Sequence, residues 1–352
     1  MKVILITNIP TPYRNPVYLK VSEYSEIDLT IFFCSKSEPN RNWKFAILGF
    51  DHQFLSSKRT FFHTNFNIVK LLAEKNPQIV ITSGFNPTMI FAWFWAIIRG
   101  KKHISFSDAN IHSESHLGLL HRLVRKLVYN TSHALIGASE KTFDLFRYSK
   151  IHEKKMFKSC LAINNQAFES IYKIKIFDLM FCGQFIDGKN PLFFSEIANY
   201  VSKKHPIRVL LVGNGPLKNE CINSLEKNKV LYSDAGYVQE SELPILYNKS
   251  RIFIFPTKRD AWGLVANEAL AAGLPTIISS VAGAANELVV DGYNGYVIND
   301  YDITSWGNKT LQILNNPKLE SYLSDNAIKS VKNFTFENAA EGIIKAIRFC
   351  ME

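Results

Sequence analysis

Two carboxylates, Asp260 and Glu268, stand eight residues apart in the stretch 253–275, F-I-F-P-T-K-R-D-A-W-G-L-V-A-N-E-A-L-A-A-G-L-P. The apolar run 252–255 reads as a strand, and Pro256 ends it because proline cannot donate to a central ladder. A polar loop follows over 257–260. The spacing then predicts a helix opening near Gly263 and closing at Ala272-Gly273, with Pro275 beyond as a stop. Asp260 falls on the loop and Glu268 about a turn and a half inside the helix. Such a loop aims the backbone N–H groups of Gly263, Leu264 and Val265, with the positive end of the helix dipole, at one point. That is an anion site, and a diphosphate is a natural occupant. Gly263 lets a ligand approach the backbone. The plain alternative is an ordinary βα unit with a solvated Asp and a helical Glu.

The pattern Pro256-Thr257-x-x-Asp260-x-Trp262-Gly263-Leu264-Val265-x-x-Glu268-Ala269-x-Ala271-x-Gly273-x-Pro275 resembles the donor-site signature of the retaining glycosyltransferases of family 4. That family has the GT-B fold. Its pattern carries two glutamates; this chain keeps the second, Glu268, and has Asp260 for the first. The resemblance implies that Asp260 contacts the donor sugar and Glu268 accepts a hydrogen bond from the nucleotide ribose.

Further matches lie in the same half. A strand over 177–182 leads into Gly183-Gln184-Phe-Ile-Asp-Gly-Lys189-Asn-Pro191. The family pattern there is Gly-Arg, a short gap, then Lys, with both bases on the donor diphosphate. Lys189 fits, its ammonium beside a helix that Pro191 opens. Gln184 replaces the expected arginine, so one positive charge must come from elsewhere; Arg14, Lys258 and Arg259 are the candidates. The strand 208–212 ends in Gly213-Asn-Gly215-Pro, similar to the family's V-G-x-G-P. A nicotinamide fingerprint fails here, because Lys218 stands where the third glycine belongs. Tyr237 and Val238 occupy the segment whose backbone meets the nucleotide base in resembling enzymes.

The first half restarts from a strand over 2–7 and the loop Asn8-Ile-Pro-Thr-Pro-Tyr13-Arg14-Asn15, with Pro16 able to open a helix. Loops at strand carboxyl ends line ligand sites in open α/β sheets. Tyr13 and Arg14 are therefore acceptor-side candidates, set against a rigid proline turn with a surface arginine. A strand over 102–107 ends at Ser107-Asp108, which resembles the family, and the resemblance implies an acceptor-side or catalytic group in this region, for which Asp108 is the stronger candidate. His112 is the weaker one, a solvated or capping histidine being the plainer reading.

A chain of 352 residues suits two domains. Its 47% hydrophobic and 20% charged residues exclude a disordered chain. The run 3–6 is cut off by Asn8 and Pro10 too early for a secretory leader, and the run 89–98 is too short to span a bilayer. Five scattered cysteines without a C-x-x-C pair suit free thiols. The net charge is +10, and residues 99–158 hold twelve Lys/Arg against five Asp/Glu. Nucleic acid, an anionic membrane surface and phosphorylated substrates are the partners to weigh; no nucleic-acid motif appears. Within that region 117–129 reads as an amphipathic helix. Leu120, Leu123, Val124, Leu127 and Val128 form the stripe expected to pack on the sheet, leaving a basic face for solvent or anionic lipid.

The expectation is thus an α/β chain of GT-B type: two Rossmann-like domains facing a cleft, over 1–170 for the acceptor and 171–335 for the nucleotide sugar, with a helix over 336–352 returning to the first. The resemblance implies retaining transfer from a nucleotide-diphosphate sugar, UDP-sugar before GDP-sugar, without metal or other cofactor. The acceptor would be a saccharide or polyprenyl-diphosphate-linked saccharide, in bacterial surface polysaccharide assembly, in the cytoplasm or peripheral at the inner membrane face. The alternatives are a sugar-nucleotide 2-epimerase of the same fold and a non-catalytic nucleotide-sugar-binding protein.

Overall fold

The computed structural model describes residues 1–39, 48–56, 63–115, 117–169 and 174–352. The chain divides into two compact units, Met1–Ala162 with Phe334–Glu352, and Ile163–Asn333.

The first unit carries strands β1 (Lys2–Thr7), β2 (Asp28–Phe33), β3 (His52–Phe54), β4 (Ile79–Thr82), β5 (Lys102–Ser107), β6 (Ala134–Gly137) and β7 (Met156–Lys158). They form one parallel sheet in the order β3-β2-β1-β4-β5-β6-β7. Between them run α1 (Asn15–Ser22), α2 (Asn67–Lys75), α3 (Pro87–Ile98), α4 (Leu119–Thr131) and α5 (Glu140–Tyr148). Parallel strands are covered on both faces, so they read as continuous apolar runs. In β1, Val3 and Leu5 join Val17 and Val21 of α1 on one side. Ile4 and Ile6 join Ile68 and Leu72 of α2 and Met89 of α3 on the other.

The second unit carries β8 (Phe177–Cys182), β9 (Arg208–Val212), β10 (Leu231–Asp234), β11 (Ser250–Phe255), β12 (Thr276–Ser279) and β13 (Gly295–Ile298). They are again parallel, in the order β10-β9-β8-β11-β12-β13. Its helices are α6 (Asn165–Phe168), α7 (Pro191–Ser202), α8 (Lys218–Lys227), α9 (Leu243–Asn248), α10 (Leu264–Ala271), α11 (Ile303–Leu314) and α12 (Pro317–Ser330). The last helix, α13 (Phe336–Phe349), returns to the first unit, where Ile343, Ile344 and Ile347 enter its core. Only glycine fits at position 342, since a Cβ there would lie 1.7 Å from the Lys158 carbonyl oxygen.

The boundary expected at 170 falls at Ala162/Ile163, and the return at Phe334. The reason is α6. Phe168 stacks edge-on against Tyr247 at 5.7 Å, and Asn248 Nδ2 donates to the Phe168 carbonyl at 3.2 Å, so this segment packs with the second unit. Each sheet reverses its strand order once, between β1 and β4 and between β8 and β11. At such a reversal the loops leaving neighbouring strands part, and the space between them receives a ligand.

The apolar stripe expected on α4 is split: Val128 is buried as expected and Val124 half-buried, but the three leucines of the stripe face outward. Helix α4 buries Arg125, Val128 and Tyr129, and leaves Leu119, Leu120, Leu123 and Leu127 exposed. Tyr129 is wedged between Phe85 and Phe146 at 5.6 and 5.0 Å, and Arg125 pairs with Glu114. These contacts turn the leucine stripe outward.

Candidate functional site

The switch point of the second unit is built by two loops laid on each other. After β8 the chain makes a 3₁₀ turn over Asp187–Lys189, and Asn190 takes a left-handed φ of 54° before Pro191 opens α7. After β11, Thr257 Oγ1 donates to the Gly188 carbonyl at 2.7 Å, and the Lys258 N–H donates to the same oxygen at 2.9 Å. Thr257 is fixed from behind, its carbonyl accepting from Ser279 Oγ at 2.5 Å and Tyr301 OH at 2.7 Å.

This stacking brings Lys189 to Asp260. The ammonium is ion-paired with Oδ2, while Oδ1 accepts from the Trp262 N–H at 3.2 Å. Asp260 is thus held by a cation on one side and by the turn into α10 on the other. Lys189 also lies 5.4 Å from the Phe255 ring centroid. Gly263 precedes α10 at φ 102° and, as its N-cap residue, has no side chain with which to cap the helix. A Cβ at Gly263 would meet the Phe255 ring at 2.6 Å, so both space and φ require glycine. A helix start without a side-chain cap offers its first N–H groups, here those at Leu264 and Val265, to an incoming anion.

Glu268 lies one turn further in. Tyr247 OH, at the end of α9, donates to its Oε2 at 2.7 Å. Burial pushes the Glu268 carboxyl up to about 7, against which the Tyr247 bond works in the opposite direction. Burial, with Glu268 and Cys182 nearby, also holds the Tyr247 phenol well above its ordinary range.

The glycine positions fall into two kinds. Gly213 and Gly215 are fixed by packing: a Cβ would lie 1.9 Å from the Gly183 carbonyl oxygen at the first and 2.5 Å from that of Phe185 at the second. Gly183 has open space where its Cβ would be, so it leaves a gap at the end of β8. Lys218 ties the surrounding loops: its ammonium donates to the Gly213 carbonyl at 3.0 Å and to Asn214 at 2.8 Å, and pairs with Asp234 at 2.7 Å. The Gly236 carbonyl accepts from the Gly213 N–H at 2.7 Å, which fixes the segment carrying exposed Tyr237 and half-buried Val238 beside the end of β9.

Of the charges weighed to replace the arginine missing at Gln184, Arg14 is committed elsewhere. It lies in the first unit, 5% exposed, bound to Asp108 at 2.5 Å, Ser159 Oγ at 3.1 Å and the Cys160 carbonyl at 3.3 Å. It is a buried clamp, where the sequence left a surface arginine equally open. Lys258 pairs with Asp187 at 2.6 Å, and Arg259 stands 3.7 Å from the same carboxylate. Arg259 is the least tightly held of the three.

In the first unit a pocket of about 360 Å³ opens at the β1/β4 switch point, lined by Tyr13, Arg14, Asp108 and Glu114 among others. Asp108 presents its carboxylate there with one oxygen on Arg14. His112 lies on an exposed turn outside that lining. Sequence reasoning missed Tyr247, Lys218 and Glu114. Lys218 was visible as the residue that spoils a glycine pattern; the other two make contacts that no local pattern announces.

Residues 165–330 match the family model described as glycosyl transferases group 1. A capsular polysaccharide biosynthesis glycosyltransferase of Staphylococcus aureus is 30% identical over 138 residues, 38% of this chain and 35% of that protein. The Escherichia coli UDP-Gal:alpha-D-GlcNAc-diphosphoundecaprenol alpha-1,3-galactosyltransferase is 27% identical over 155 residues, 43% of this chain and 40% of that protein. The chain thus spans about two fifths of the length of these curated relatives. Among solved structures, Anabaena HepE in complex with UDP and glucose superposes with a TM-score of 0.77 at 12% identity, covering 99% of each chain. The apo lipopolysaccharide outer core galactosyltransferase WaaB superposes at 0.75 with 14% identity, again over 99% of each chain. The chain has the GT-B fold, and its residues 165–330 match the glycosyl transferases group 1 model.

Proposed function

We propose that this chain moves a sugar from a nucleotide-diphosphate donor, a UDP-sugar before a GDP-sugar, to an acceptor hydroxyl with retention at the anomeric carbon. The observation that carries this reading is the Lys189–Asp260 pair beside the uncapped start of α10, at the β8/β11 switch point. The bond that breaks joins the anomeric carbon to the diphosphate oxygen. The bond that forms joins that carbon to the acceptor oxygen on the same face. The acceptor proton leaves with the departing diphosphate.

Each group has a part in this. Lys189 and the amides of residues 263–265 neutralise the charge that grows on the leaving diphosphate, as preorganised donors do. Asp260 holds the sugar and Glu268 the ribose. Gly183 leaves room for the diphosphate, and Tyr237 and Val238 border the base. No metal is needed in this scheme. Solved neighbours hold UDP and glucose or UDP-glucose, which favours a uridine donor. The named relatives act in capsule assembly and on a diphosphoundecaprenol-linked acceptor, which favours a lipid-linked saccharide in surface polysaccharide assembly at the inner membrane face. The pocket of Tyr13, Asp108 and Glu114 is the acceptor side.

The test is a thermal-shift panel of UDP-, GDP- and ADP-sugars on the chain and on Glu268→Ala, followed by transfer to a diphosphate-linked saccharide with chelator present. Stabilisation by one nucleotide class, lost in the variant, with transfer that chelator leaves intact, is the expected result. Conversion of the donor with no acceptor added would move the reading to an epimerase. Binding without turnover on any acceptor would leave a nucleotide-sugar-binding protein.

A further inference from the structure

The face of α4 that the fold leaves uncovered is its apolar one. Leu119, Leu120, Leu123 and Leu127 are 73%, 75%, 56% and 55% exposed. At about 100° per residue these four side chains fall within a sector of roughly 100°, directly opposite the buried face of Arg125, Val128 and Tyr129. Arg122 and Lys126, both exposed, line one edge of that sector. Helix α3 meets the far end of α4, where Trp93 Nε1 donates to Thr131 Oγ1 at 3.0 Å. It adds exposed Phe94, Ile97 and Ile98, a second i, i+3, i+4 stripe, followed by exposed Arg99. A soluble surface seldom carries so many large apolar side chains together without an occupant.

We propose that α4 is an interfacial helix that docks this unit on an anionic lipid bilayer, with the four leucines entering the acyl boundary and Arg122 and Lys126 on the headgroups. The charge argues for lipid: the two charged residues at the edge of the apolar sector, Arg122 and Lys126, are both cations, and residues 99–158 carry a surplus of seven positive charges. That is the pattern of a helix lying in a membrane interface. Among the described residues no helix is long and apolar enough to cross a bilayer, so the contact is made from one side. Docking bears on the pocket. Glu114, which lines it, forms its ion pair with Arg125 on the underside of the same helix. The helix that lies on the lipid therefore braces a wall of the pocket, which suits an acceptor whose lipid stays in the membrane.

The experiment is co-sedimentation with vesicles of phosphatidylcholine alone and of phosphatidylcholine containing about a third phosphatidylglycerol. The full chain is compared with Leu120→Glu/Leu123→Glu and with Arg122→Glu/Lys126→Glu. All four positions are exposed or on the uncovered face, and circular dichroism with thermal melting checks that each variant is folded. The wild type is expected to partition about tenfold or more in favour of the anionic vesicles. The leucine variant should lose about tenfold or more, and the charge variant should lose the preference for anionic lipid. Failure of the wild type to bind anionic vesicles, or equal binding by the leucine variant, overturns the proposal. So does sedimentation equilibrium showing a dimer that the leucine variant dissociates, since the stripe would then face a second copy. None of these readouts involves turnover, so the proposal stands or falls apart from the sugar-transfer reading.

Discussion

Lys189 and Asp260, 71 residues apart in sequence, are ion-paired across the reversal point of the second sheet. One side chain comes from the turn after β8 and the other from the loop after β11, so the pair records how those loops stack. A diphosphate entering beside α10 competes with Asp260 for the ammonium. Asp260→Asn is therefore expected to tighten UDP binding severalfold while cutting transfer by about 100-fold or more. Lys189→Ala should weaken UDP binding by roughly 10- to 100-fold. Titration calorimetry with UDP checks both, and unchanged affinity in the two variants would remove this pair from the diphosphate site.

Glu268 makes stability depend on pH in a defined direction. Burial raises its pKa from 4.5 to about 7, so between those values the folded chain keeps a proton that the unfolded chain has lost. The contribution is fully present below about 4.5 and is lost as pH rises to about 7, a span of roughly 3 kcal/mol. Glu268→Gln keeps an acceptor for Tyr247 and removes the titration. Its stability relative to wild type should climb through that window in urea unfolding at successive pH values. Parallel curves for the two proteins would contradict the assignment.

Gly263 answers to two constraints, a φ of 102° and the Phe255 ring at 2.6 Å from any Cβ. Gly263→Ala should cost roughly 2–4 kcal/mol in chemical denaturation and open the start of α10. In a Phe255→Leu background the contact part of that cost should shrink and the backbone part persist. A cost below about 0.5 kcal/mol would show that the loop relaxes freely.

Arg14 serves Asp108, Ser159 and Cys160 at once, with its guanidinium 4.5 Å from the Phe106 ring centroid. Arg14→Ala leaves those acceptors short of a donor and should destabilise the first unit by about 3 kcal/mol. Arg14→Lys should recover only part of this, because a point ammonium cannot reach three acceptors in the fork geometry of arginine. The comparison is read in thermal unfolding, and a silent Arg14→Ala would return Arg14 to the surface role.

The sequence determined what local rules control. The strands at 2–7, 102–107, 177–182 and 208–212 were bounded by turn residues and apolar runs, and the structure has them at those positions. The loop-to-helix step at Asp260, Gly263 and Glu268 was legible because one contiguous segment supplies the turn, the exposed amides and both carboxylates. The tertiary structure decided what depends on partners far along the chain. Nothing near Glu268 announced Tyr247, and nothing near Arg14 announced that Ser159 and Cys160 would close over it. Helix α4 is the sharpest case. Its period put Val128 on one stripe with the leucines, but an amphipathic pattern is silent on which part of a stripe is buried when an aromatic wedge and an ion pair compete with leucines. Tyr129 between Phe85 and Phe146, with Arg125 on Glu114, settled that competition, since satisfying a buried charge and filling an aromatic gap outweigh covering leucines that a second surface can cover later.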